Sequence, residues 1–97
     1  MLTPRQKQFL RGLAHPLSPV VRVGRAGLTP AVINEAKKSL EAHELIKVRI
    51  EADDGETRAA IADELARAAD AELAATIGKL AILYRARQGN PAIALPK

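Results

Sequence analysis

The spacing in this chain best suited to chemistry is Gly24-Arg25-Ala26-Gly27, and the chemistry is the holding of phosphate groups. Glycines at both ends of such a loop open backbone conformations closed to other residues and let a ligand come close to the main chain. Arg25 adds a full positive charge at the tip. Thr29-Pro30 follows at once, an N-cap and a first-turn proline, so the free N–H groups of a starting helix bring partial positive charge to the same place. Ahead of the loop, Val20, Val21 and Val23 suit a short buried strand. Strand, glycine loop and helix start together make a seat for anionic ester groups.

Other chemistries find little support. There is no cysteine, so disulfides and thiolate-held metals are excluded, and His15 and His43 lack the partners of a metal site. Both histidines stand where a helix ends and are read as bonding terminal carbonyls. Ser18, Ser39, Thr57 and Thr76 have no general-base pattern around them, and the loop lacks the Lys-Ser/Thr ending of an NTPase phosphate loop. The sequence thus predicts no enzyme, no cofactor, no metal and no small-molecule substrate.

Charge is unevenly placed. Residues 1–50 carry nine Lys/Arg against three Asp/Glu, whereas residues 51–72 carry two against eight. Arg5, Lys7 and Arg11 lie on a first helix, Arg22 beside the loop, Lys37 and Lys38 on a second helix, and Lys47 and Arg49 on a second strand. A surface with that excess attracts polyanions. The only aromatic residues, Phe9 and Tyr84, are read as core and last strand, so a base-stacking sheet is not expected. Recognition led by the sugar-phosphate backbone makes RNA the expected partner. A DNA reader would want base-reading side chains, and the second helix offers only Asn34, Lys37 and Lys38 near its exposed flank.

The elements that position these residues follow in order. Thr3-Pro4 opens a helix to about Ala14, with Leu10, Leu13 and Ala14, aided by Phe9, on its apolar side. The first strand and loop lead to a helix from Pro30 to about Ala42, buried through Val32, Ile33, Ala36 and Leu40. Leu45 to Ile50 alternates, placing Ile46, Val48 and Ile50 towards a core and Leu45, Lys47 and Arg49 on a largely basic face. Glu56 to Ala69 is a helix burying Ala60, Ile61, Ala62, Leu65 and Ala69, with Glu56, Asp63 and Glu64 in solvent. Leu73–Ile77 and Leu80–Tyr84 form a hairpin turning at Gly78-Lys79, the second strand running on to Arg87, and a short tail packs through Ile93 and Leu95. The fold class is α/β: one compact domain over residues 1–97, ordered α-β-α-β-α-β-β, with a mixed four-stranded sheet and helices packed against it.

The segments Leu13-Ala14-His15-Pro16-Leu17, Val20-Val21 with Gly24-x-x-Gly27-Leu28-Thr29, His43-Glu44-Leu45-Ile46-Lys47-Val48, and Ile77-Gly78-Lys79 with Leu83-Tyr84-Arg85 resemble the bacterial YhbY-type proteins, which carry the CRM (chloroplast RNA splicing and ribosome maturation) domain. That resemblance implies an RNA-binding module similar in fold to the C-terminal domain of translation initiation factor three, associated with ribosomal RNA of the large-subunit precursor. It carries the loop over to Gly24, Arg25, Ala26 and Gly27, and a basic surface to Arg5, Lys7, Arg11, Arg22, Lys47 and Arg49. Relatives are more basic after the last strand than Arg87-Gln88-Gly89-Asn90-Pro91-Ala92, which weakens any contribution from the tail. The chain is expected to be a cytoplasmic monomer without membrane attachment. A competing expectation is a protein-interaction adaptor that docks on the pre-ribosome through the acidic third helix.

Overall fold

A computed structural model describes residues 1–97. The elements are α1 (Pro4–Ala14), β1 (Val21–Val23), α2 (Pro30–His43), β2 (Leu45–Ile50), α3 (Gly55–Ala68), β3 (Glu72–Ile77) and β4 (Leu80–Tyr84). Each helix start is fixed by a side chain that satisfies N–H groups the helix itself leaves free. Thr3 Oγ1 accepts from the Gln6 N–H at 3.1 Å while Gln6 Oε1 accepts from the Thr3 N–H at 3.0 Å, a reciprocal capping box. Thr29 Oγ1 accepts from the Val32 N–H at 3.2 Å, and the Asp54 carboxylate from Glu56 and Thr57. The Thr57 hydroxyl also donates to Asp54, and these bonds hold its carboxyl below the usual aspartate range.

The sheet runs β1-β2-β4-β3, with β1 parallel to β2 and β4 antiparallel to both β2 and β3. On one face α2 and α3 bury Ala36, Leu40, Ala62, Leu65, Ala66 and Ala69 against Val21, Val23, Ile46, Val48, Ile50, Ala81 and Leu83. The alanines on α3 let that helix lie close to the strands. On the other face α1 and the C-terminal tail cover Leu45, Ala74, Ile82 and Tyr84 with Leu2, Leu10, Ala14, Ile93 and Leu95.

This second layer corrects the expectation of a basic face on β2. Leu45 is in a core, and Lys47 is buried, its ammonium donating to the carbonyls of His15 (3.3 Å) and Leu17 (2.8 Å). A strand covered on both faces can still alternate when its buried cation finds carbonyl partners. Lys47 therefore holds the α1–β1 connection instead of facing solvent. Other differences are local: Phe9, Leu13 and Val20 stay exposed, Leu2 and Ala66 are buried where Ala60 is not, and β4 ends at Tyr84.

Candidate functional site

The Gly24 to Gly27 loop stands at the C-terminal end of β1, exposed, between a buried strand and the start of α2. It is a turn closed by the Gly27 N–H donating to the Gly24 carbonyl at 3.0 Å. That bond leaves the N–H groups of Arg25 and Ala26 with no partner in the protein. Gly27 has φ +84, a conformation that favours glycine, whereas Gly24 has an ordinary backbone and an added Cβ there would meet nothing within 4 Å. The two glycines thus differ: Gly27 is needed to make the turn, and Gly24 leaves open space above it.

Arg22 lies in register with Arg49 across the parallel β1–β2 pair, both pointing away from the face that α2 and α3 bury. Glu51, just beyond β2, pairs with the Arg49 guanidinium, and this bond, with Lys79 and Arg22 nearby, holds its carboxyl below the usual glutamate range. Lys79 in the β3–β4 turn thus joins the cluster, a residue that sequence reasoning missed because it saw only a turn position. The tip itself is not free of acid. The Arg25 guanidinium lies 3.4 Å from Asp53 in the β2–α3 connection, with both side chains largely in water. Exposed pairs of that kind contribute about 0.2–1 kcal/mol, so a phosphate can displace Asp53 at little cost.

Arg58 on α3 ties two of the loops at this end together, donating to the Gly78 carbonyl of the β3–β4 turn at 2.9 Å and the Ala52 carbonyl of the β2–α3 connection at 2.7 Å. At this end of the sheet Arg22, Arg49 and Lys79 gather around Glu51, with Arg25 at the tip of the neighbouring loop. The other expected cations do not join it. Lys37 and Lys38 are exposed further along α2, and Arg5, Lys7 and Arg11 are exposed on α1. Lys7 shares a hollow at the β3 edge with Asp63, Arg67 and Glu72, across the sheet from β1. No group of three or more His, Asp or Glu side chains is placed to hold a metal ion, and no helix is long and apolar enough to cross a membrane.

The chain resembles known proteins over most of its length. The model of the CRS1 / YhbY (CRM) domain matches residues 2–85. An RNA-binding protein of Haemophilus influenzae is 46% identical over 84 residues, covering 87% of this chain and 85% of that protein. YqeI of Bacillus subtilis is 38% identical over 96 residues, covering 99% of this chain and 100% of its own length. The solution structure of SAV1595 from Staphylococcus aureus superposes with a TM-score of 0.89 at 35% identity, covering 99% of this chain and 100% of that one.

Proposed function

The chain belongs to the CRS1 / YhbY (CRM) domain family, and from that premise, joined to the loop geometry, we propose that it binds RNA through the Gly24–Gly27 turn and the cations around it. The observation that carries the reading is the exposed turn whose Arg25 and Ala26 N–H groups point at no protein acceptor, beside Arg22, Arg49 and Lys79. Backbone N–H donors at a helix start and arginine side chains are the groups that bind phosphate. The protein acts as a binding module, a monomeric cytoplasmic ribosome-assembly factor that holds ribosomal RNA of the large-subunit precursor. Family membership supports the ribosomal part of that role.

The test is a salt titration of binding to a structured ribosomal RNA fragment. Neutralisation of three phosphates by Arg22, Arg25 and Arg49 gives a slope of log affinity against log salt of about −2 to −3, from unpaired to paired RNA. A flat dependence contradicts the reading. Crosslinking in cells, followed by sequencing of the attached RNA, checks the target: fragments of the large-subunit precursor are expected.

A further inference from the structure

At the opposite end of β1 from the loop lies an open groove of about 410 Å³, walled by Leu13, Leu17 and Val20, with Ile93 of the tail and His43 closing α2 beside it. One wall is held in place. The Lys47 ammonium grips the His15 and Leu17 carbonyls from below, so the connection that carries Leu17 is pinned to the sheet. Leu13, Leu17 and Val20 are each about 40% exposed or more, although a chain this small has reason to bury them. The residues around the groove include Lys47, His43 and Ser18 but no Asp or Glu.

We infer that this groove seats an unpaired base of the same RNA whose backbone the glycine turn holds. The inference rests on the RNA-binding reading and extends it from phosphate contacts to a preference for unpaired nucleotides. An apolar slot with a cation beneath and no carboxylate in its walls fits a flat base joined to a phosphate, whereas an acidic lining would repel one. The hollow between groove and loop is lined by Val20, Arg22 and Arg49, with Glu35 of α2 its one carboxylate. From Val20 to Gly24 the chain spans about 13 Å, which a short run of extended nucleotides covers. Arg22 stands midway on that path, on the side of β1 turned away from the α2–α3 core. Aliphatic side chains take over the packing role for which this chain lacks exposed aromatic rings other than Phe9.

The experiment compares a blunt RNA hairpin with the same hairpin carrying a short single-stranded extension that contains 2-aminopurine. The intact protein is expected to bind the extended RNA about 5- to 50-fold more tightly and to change the 2-aminopurine fluorescence. Leu17→Gln, and separately Leu13→Gln, both at exposed positions, are expected to remove that preference and the fluorescence change while binding the blunt hairpin as before. Arg25→Glu should weaken both RNAs by a similar factor. Equal binding of the two RNAs by the intact protein, or a preference that survives both groove variants, overturns the base site and leaves the loop clamp standing. If the groove variants keep full RNA discrimination yet lose binding to a purified ribosomal protein, the groove belongs to a protein partner and the inference fails. Absence of binding to either RNA would defeat the clamp and the groove together.

Discussion

Arg25→Glu is expected to reduce RNA affinity about 10- to 100-fold while leaving stability within about 0.5 kcal/mol of the parent. The asymmetry follows from exposure. Arg25 is largely in water, and its only partner is Asp53 at 3.4 Å, so the fold loses almost nothing. In the complex the same change removes a charge-assisted bond and places a carboxylate beside phosphate. Asp53→Asn moves the other way: the competitor for Arg25 is gone, and affinity rises about two- to fivefold. The glycines separate sterics from charge. Gly24→Ala puts a methyl into open space with no backbone strain, so its melting temperature stays put. A loss of RNA affinity in that variant reports close approach of the RNA to the main chain. Gly27→Ala carries a strain of about 1 kcal/mol from its positive φ and is the less clean probe. Fluorescence anisotropy at fixed salt, with thermal melts of each variant, checks the series.

Glu44→Ala is expected to cost about 2–4 kcal/mol and to free the C-terminal tail. Glu44 is fully buried, where desolvation by itself would raise its carboxyl. The main-chain N–H groups of Arg87 (2.7 Å), Ala92 (2.8 Å) and Ile93 (3.0 Å) donate to that carboxylate and bring the balance below the usual glutamate range. Its backbone closes α2 as well: φ is +60, its N–H donates to the Leu40 carbonyl, and its carbonyl accepts from Arg85. A non-glycine residue in that conformation is strained, and the three bonds offset the strain. Alanine keeps the strain and loses the bonds. Hydrogen exchange should show the amides of Arg87, Ala92 and Ile93 losing protection first.

The pH dependence has a definite sign. The folded carboxyl titrates below its unfolded value, so Glu44 contributes stability that is fully present above the ordinary glutamate pKa, about 4.5. That stability is lost as pH falls through the folded value. Glu44→Gln is uncharged at every pH, so its stability deficit relative to the parent should be constant near neutrality and shrink below about pH 4.5.

The elements were legible in the sequence wherever local rules decide them. Thr3-Pro4 and Thr29-Pro30 mark the starts of α1 and α2, Gly78 with φ +57 turns the β3–β4 hairpin, and β2 occupies the expected Leu45–Ile50. What was illegible depends on which surfaces meet. The alternation of Leu-Ile-Lys-Val-Arg-Ile looks like one wet face, and nothing local shows that α1 folds over it and that Lys47 finds two carbonyls. Glu44 carries no local signal of its role, because its three donors come from more than forty residues further on. The strand expected to continue to Arg87 stops at Tyr84, and beyond it the Arg85 N–H donates to the Glu44 carbonyl and the Arg87 N–H to the Glu44 carboxylate. In the candidate site the loop and Arg22 were visible from spacing. The Arg25–Asp53 pair, between residues 28 apart in sequence, and the approach of Lys79 to Glu51 were not.

The central claim is that the Gly24–Gly27 turn receives RNA phosphate on its unpartnered N–H groups. Amide chemical-shift mapping on the intact, isotope-labelled protein during titration with a ribosomal RNA fragment tests it most directly. The largest shifts are expected at the amides of Arg25 and Ala26 and in the first turn of α2, with Arg22 close behind. Shifts confined to the exposed face of α3, around Asp63 and Glu64, with Arg25 and Ala26 unmoved at saturation, would contradict it.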